Sequence, residues 1–303
     1  MSANLKYYAH GKLLITGEYA VLDGALALAI PTKIGQWLAI EFMANSQNLV
    51  WESKDENGDI WFESEFSSEL EIVSTSSTEI AQRLIEILEF CKTENPDFSE
   101  ILKGKKVTTT LEFNRHWGLG SSSTLLHLIG QWSGVNPYKI LEQTFGGSGY
   151  DLACAEAESP ILYQIENGAP VVKQVAFNPV WKGRMHFVYL GKKQVSKGEV
   201  AKYSEMNIDR VELVDQVSQL TQKVLKANSQ NEFEKALQEH ENLLSKTLGY
   251  PTIKSRYFES VNGIFKSLGA WGGDFVLFIG EDSEIEKIKD LGFETVISWH
   301  EMV

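Results

Sequence analysis

The sequence predicts an α+β fold in two lobes, a β-rich N-terminal one followed by a helix-rich C-terminal one. Three observations point there. Short segments with strand-like alternation crowd the first third of the 303 residues. Apolar stripes at helical spacing dominate the last third. Small-residue loops stand between strands and helices, GLGSSS (118–123) at a strand-to-helix join and GAWGGD (269–274) at a helix-to-strand one. Runs of strands followed by runs of helices belong to α+β architectures rather than to alternating α/β ones.

LLITGEYAVL (13–22) and IGQWLAIEF (34–42) carry apolar and β-branched residues at strand spacing. NLVWESKDENGDIWFESEF (48–66) reads as a hairpin that turns near Glu56, Asn57 and Gly58. In STEIAQRLIEILEFCK (77–92) the period changes, and Ile80, Leu84, Ile87, Leu88 and Cys91 share one helical face. KVTTTLEF (106–113) alternates again. WGLGSSSTLLHLIGQW (117–132) runs a small polar loop into an apolar helix, and GGSGYD (146–151) is a second glycine-rich loop. ILYQI (161–165), PVVKQV (170–175) and MHFVYLG (185–191) read as strands.

Beyond them, IDRVELVDQVSQLTQKVLKA (208–227) sets Val211, Val214, Val217, Leu220 and Val224 on one stripe. Phe233, Leu237 and Leu244 mark a further helix, and residues 252–267 another. LGAWGGD (268–274) then leads into the strand FVLFIG (275–280). A single division near residue 175 separates the two lobes.

Composition narrows the function classes. Apolar residues make up 43% and charged residues 23%, ordinary for a globular chain. No apolar run reaches about 18 residues, so no membrane span is expected. The first residues lack the basic-then-apolar layout of a secretory signal. Cys91 and Cys154 are the only cysteines, too few for a disulfide framework. A cytoplasmic location is the expectation. The net charge of −13, without any Lys/Arg-rich run, argues against nucleic acid as a partner. A small anionic substrate is compatible with it, because such a ligand responds to its local pocket.

The loop GLGSSS (118–123) admits two readings. The first N–H groups of a helix lack intrahelical partners and carry partial positive charge. They can be satisfied by a serine cap in a tight turn, or by a bound anion that glycine lets approach closely. No Walker A pattern, G-x-x-x-x-G-K-[ST], occurs anywhere in the chain.

Two companion segments favour the anion: HGKLLITGEYAVLDG (10–24) and GAWGGD (269–274). In this order and spacing the three resemble the motifs of the GHMP kinase superfamily, from residue 9 to about residue 280. Within it the likeness is greatest to phosphomevalonate kinases. GKLLITGEYAVL looks like their GK-aliphatic-GEYAV opening, QTFGGSGYD (143–151) like their Q-x-x-x-G-S-G-F-D stretch, and GGD (272–274) like the end of their third motif.

The resemblance implies a two-lobed GHMP-kinase-like fold with the active site between the lobes. Residues 1–175 would be the nucleotide-binding lobe, and residues 176–303 the C-terminal lobe with acceptor-side loops. It implies ATP and Mg²⁺ as cofactors and a small-molecule acceptor, 5-phosphomevalonate or mevalonate being favoured. Gly118, Leu119, Gly120, Ser121, Ser122 and Ser123 would wrap the ATP phosphates, bordered by Gly269, Gly272 and Gly273. Ser122 would offer a hydroxyl to the metal, with Glu142 or its neighbour Gln143 as a further ligand. Asp151 would be the catalytic base or charge organiser, and Lys12 its partner. A nearby ammonium keeps a carboxylate ionised and stabilises charge developing on the acceptor oxygen. A surface ion pair or a helix cap is the plainer reading of the same two residues.

Glu18, Ser148, Lys193 and Ser196 would face the acceptor. GKKQVSK (191–197) forms a local basic patch with Lys192 and Lys197, suited to a phosphorylated acceptor or simply to a solvated turn. Trp271 stands where the family usually has glycine, and is expected to pack between the lobes; His10 replaces the usual proline. Arg115 and His116 are candidates to touch phosphate or to end a solvated strand. His127 is expected in the core, and neither cysteine has the setting of a nucleophile. Other acceptors, a sugar or an amino alcohol, and an ATP-binding protein without catalysis are the alternatives. Diphosphomevalonate decarboxylases, which also use ATP, open with a different first motif.

Overall fold

The computed structural model describes residues 5–191, 196–269, 271 and 273–303. Its α+β architecture is the one expected from the sequence. Two compact units form, each from separated stretches of chain. Met1–Gly11, Ile34–Arg115 and Leu119–Glu156 make the first; Lys12–Lys33, His116–Gly118 and Ala157–Val303 make the second. The chain passes from one unit to the other at several points, and the passage nearest the expected division at 175 lies after Glu156.

Strands β1 (Leu5–Thr16) and β2 (Ala27–Phe42) contribute residues to both units. The rest of the first unit comprises β3 (Leu49–Lys54), β4 (Ile60–Phe66), β5 (Ile72–Thr75), α1 (Thr78–Glu94), α2 (Phe98–Leu102), β6 (Lys105–Leu111), α3 (Ser121–Ser133), α4 (Pro137–Thr144) and α5 (Tyr150–Glu156). Its sheet runs β5-β4-β3-β6-β2, with β1 paired to β2. Gly58 turns the β3–β4 hairpin at φ 88°, and Asp55 accepts the N–H groups of Asn57 and Asp59 across the turn. β3 and β6 pair in parallel, so a crossover must join them, and β4, β5, α1 and α2 supply it. On α1 the buried face is Ala81, Leu84, Ile87, Leu88 and Cys91, close to the predicted stripe. It packs into a core with Trp51, Phe62, Phe66 and Phe98.

The second unit holds β7 (Ile161–Glu166), β8 (Ala169–Gln174), β9 (Met185–Tyr189), α6 (Ser196–Glu205), α7 (Arg210–Lys226), α8 (Gln230–Leu248), α9 (Ile253–Tyr257), β10 (Ile264–Ser267), β11 (Phe275–Ile279), α10 (Ser283–Asp290), β12 (Val296–Ser298) and α11 (Trp299–Met302). Residues Ala27–Ala29 of β2 pair with β7, and β7 with β8. A separate antiparallel sheet runs β10-β11-β9-β12. Among the described residues, no helix is long and apolar enough to cross a membrane.

Three elements differ from expectation. The strand predicted over 13–22 stops at Thr16, because Gly17 turns the chain at φ 100°. A Cβ there would lie 2.5 Å from that of Ala27, so only glycine fits. A short 3-10 turn, Ala20–Asp23, follows. The helix predicted over 252–267 is the five-residue α9 followed by β10, broken at Gly263 with φ 137°. On α7, Val211 lies outside the buried stripe, which is Leu213, Val217, Leu220, Thr221 and Val224.

Candidate functional site

In the first unit, the N-terminus of α3 is the site's clearest feature. Gly120, at φ 90°, occupies the N-cap, and no side chain caps the helix. The three serines are the first helical residues, with Ser122 exposed. Leu119 beside them is buried. Thr124 braces the turn through Oγ1, which contacts Gln36 Oε1 at 2.5 Å and the Ser121 carbonyl at 2.9 Å. A glycine at the cap and serine hydroxyls alongside leave the first N–H groups open to an anion. The serine-cap reading of GLGSSS is therefore not the one realised.

α4 and α5 both pack on α3. Asp151 lies half-buried in the first turn of α5, after Ser148 and the left-handed glycines Gly146, Gly147 and Gly149. Glu142 and Gln143 are exposed on α4. Among the described residues, no three His, Cys, Asp or Glu side chains gather as a metal-holding group. Backbone N–H donors and hydroxyls are suited to a polyphosphate and to a metal carried on it.

In the second unit, the entry to the same loop meets the third glycine loop. Gly118, at φ 68°, lies so close to Asp274 that a Cβ on it would overlap the Asp274 carboxylate. Asp274 itself is left-handed at φ 56°, an uncommon conformation for a non-glycine residue. Tyr189 donates to the His116 carbonyl at 3.1 Å, and Trp117 packs edge-on against Phe275. Gly118→Ala should therefore lose about 1–2 kcal/mol from backbone strain alone. It should also displace Asp274; if the loop holds a phosphate, as the sequence resemblance implies, affinity for a nucleotide falls with it, measured by titration calorimetry. Unchanged affinity would count against a phosphate role for this loop.

Beneath the first motif lies a buried ionic cluster. Lys266 on β10 donates to Glu18 Oε1 and to the Ser267 carbonyl, with Glu241 Oε2 3.8 Å away. Glu241 on α8 accepts from Ile253 N, Ser267 N and Ser267 Oγ, each at 3.0 Å. His240 Nε2 accepts the Gly17 N–H at 3.1 Å and stands 3.5 Å from Glu18 Oε2. Glu18 Oε2 and His240 Nδ1 make no hydrogen bond. Burial raises Glu18 to about 7 even against the Lys266 charge. Burial, aided by Lys266, holds His240 well below the usual imidazole range, so the ring is neutral.

These two groups pull stability in opposite directions with pH. Glu18 has a raised folded pKa, so its contribution is full below the unfolded value of 4.5 and is lost as pH rises to about 7. His240 must stay neutral in the folded state, so its contribution is lost as pH falls below the ordinary value of 6.5. Between 4.5 and 6.5 the two offset each other. Glu18→Gln should unmask the histidine, so stability falls faster from pH 6.5 to pH 5 than in the parent. Each titrating group adds up to about 1.4 kcal/mol per pH unit. Urea midpoints across that range test this; parallel profiles would show that Glu18 carries no proton there.

No family model matches the chain, and no curated protein matches it. Solved structures do. Streptococcus pneumoniae phosphomevalonate kinase in complex with phosphomevalonate and AMPPNP is 18% identical, TM-score 0.69, over 99% of this chain and 100% of that one. Methanococcus jannaschii mevalonate kinase is 16% identical, TM-score 0.70, over 97% and 96%. L. major mevalonate kinase in complex with R-mevalonate is 14% identical, TM-score 0.69, over 98% and 95%.

The fold is that of the GHMP kinases. On this fold the residues singled out in the sequence separate into two groups. Leu119, Gly120, Ser121, Ser122, Ser123, Glu142, Ser148 and Asp151 belong to the first unit; Lys12, Glu18, Gly118, Gly269 and Gly273 belong to the second.

Glu18 requires a correction. Expected to face an acceptor, it is 1% exposed and engaged by Lys266, so its role is internal. Trp271 is buried inside the second unit with Tyr19, Tyr203, Leu244 and Leu248, and its N–H donates to Tyr19 Oη at 3.1 Å. It also walls an open pocket of about 180 Å³ with Ser267, Ile253, Tyr250, Arg256 and Glu199. His127 is buried, as expected, and burial lowers its pKa. Cys91 and Cys154 are buried. Gly272, Lys192 and Lys193 lie outside the described residues, as do the side chains of Ser196 and Lys197. Lys266, His240, Glu241 and Asp274 were not singled out. GGD did mark Asp274, but no local pattern marks the other three.

Proposed function

We propose that this chain is an ATP-dependent small-molecule kinase of the GHMP type, with 5-phosphomevalonate as its first acceptor and mevalonate as its second. The observation that carries the reading is the glycine-capped N-terminus of α3, open to an anion and lined by Ser121, Ser122 and Ser123. The likeness to a phosphomevalonate kinase holding its acceptor and a nucleotide analogue supports the choice of acceptor.

Phosphoryl transfer asks for positioning and charge neutralisation more than for covalent chemistry by the protein. When bound, Mg-ATP supplies the γ-phosphoryl group and the divalent charge. The N–H groups of residues 119–123 would hold the phosphate oxygens, and Ser122 would offer its hydroxyl to the metal. Asp151 orients the acceptor hydroxyl and receives its proton; Lys12 stabilises the oxygen as charge grows on it. An ordinary carboxylate is a weak base, so orientation is the larger part of what Asp151 does.

The test is ADP release with Mg-ATP against 5-phosphomevalonate, mevalonate, homoserine and several sugars. Turnover with 5-phosphomevalonate, abolished in Asp151→Asn, is the expected result. Turnover with a different acceptor keeps the kinase and replaces the substrate. ATP binding with no turnover on any acceptor would overturn the kinase reading.

A further inference from the structure

The buried cluster joins four parts of the second unit that are distant in sequence. Gly17 and Glu18 belong to the first motif, His240 and Glu241 to α8, Ile253 to α9, and Lys266 and Ser267 to the strand leading into the third loop. Tyr19 extends the link by accepting the Trp271 N–H. Lys266 is 0% exposed, and its ammonium reaches both Glu18 and the Ser267 carbonyl. With His240 neutral, the cluster holds two carboxylates against one ammonium.

We infer that Lys266 is a positioning residue: by neutralising Glu18 and tying it to Ser267, it fixes the first-motif turn against the strand that launches the third glycine loop. The first motif carries Lys12 and the third loop carries Asp274, against which Gly118 packs. One buried cation therefore sets the relation between two loops that the proposed reaction uses, and in that respect the inference rests on the kinase reading. The energetics are asymmetric. Besides Lys266, Glu241 has three donors of its own. Glu18 Oε1 rests on Lys266, and its Oε2 makes no hydrogen bond. Removing the ammonium strands Glu18, while removing the Glu18 charge leaves Lys266 facing Glu241.

The experiment uses the full chain as Lys266→Met, Glu18→Gln and the double variant. Amide hydrogen exchange is followed at Gly17, Ile253, Ser267 and Trp271, with β3 and β6 as internal reference. In Lys266→Met, exchange at those four amides should rise about tenfold or more while the reference stays protected, as in a local opening. Glu18→Gln keeps an acceptor oxygen for Lys266 and should hold protection near the parent level. The double variant should recover most of it, because Glu18 no longer carries a charge and Glu241 is held by its own three donors.

Steady-state kinetics supply the second readout. kcat of Lys266→Met should fall about tenfold to a hundredfold, the scale of a small misplacement, and return in the double variant. Unchanged protection at the four amides in Lys266→Met overturns the inference, as does a double variant no better protected than the single. If Lys266→Met does not fold, the double variant decides: native protection supports the charge argument, and failure to fold overturns it. Should the parent phosphorylate no acceptor, the kinase reading fails while the exchange result still judges the clamp.

Discussion

Lys266→Met at pH 8 is expected to lose about 3–5 kcal/mol of unfolding free energy, the usual cost of stranding a buried charge. Methionine nearly matches the lysine stem in length, so little of that loss comes from packing. Two signatures separate charge from volume. At pH 6 the loss should shrink, because Glu18, already raised to about 7 beside Lys266, is pushed higher once the ammonium is gone and takes a proton in place of its lost partner. Adding Glu18→Gln should return stability to within about 1 kcal/mol of the parent, because the buried charge is removed with its partner. Urea denaturation at the two pH values reads both. A loss below about 1 kcal/mol at pH 8 would mean that solvent reaches Glu18 and that the cluster is not the closed ionic site described above.

The largest catalytic effect is expected at Asp151. Asp151→Asn keeps the shape of the side chain, removes its charge and leaves no proton acceptor. On the proposed mechanism kcat falls by about 10²–10⁴, and kcat/KM falls with it. Nucleotide affinity should hardly change, since the proposed phosphate cradle on α3 is untouched. Lys12→Met should lower kcat as well, and the pair should behave as a unit. The double variant then costs little more than the worse single one, because residues acting together are strongly non-additive. Additive losses would mean that Lys12 and Asp151 work independently. A loss of only a few-fold in Asp151→Asn would leave the transfer to positioning by other groups.

Much of the fold could be read from local pattern. The faces of α1 and α8, the turn at Gly58 and the start of α3 after Gly120 each follow from residues within a few positions of one another. The proposed phosphate loop rests on the same kind of signal, since small residues before an apolar helix carry their meaning locally. What escaped was non-local. Glu18 and Lys266 lie 248 positions apart, and nothing in GEYAV or FKS announces the bond. β10 was hidden because its four residues share the apolar content of the helix before them, and only Gly263 marks the break. Trp271 is conspicuous as a departure, but its surroundings come from Tyr19, from Tyr203 on α6 and from Leu244 and Leu248 on α8.

The close approach of Asp274 to Gly118 has an evolutionary consequence. Position 118 cannot drift alone: a side chain there is tolerated only after the one at 274 has shrunk or turned away. The path by which such a chain could diverge is therefore ordered, with a shorter residue at 274 as the permissive step. Asp274→Gly should soften the effect of Gly118→Ala, and the reverse order should pass through a poorly functioning intermediate. Substitutions in these two loops, separated by most of the second half of the chain, are therefore expected to be coupled in their effects.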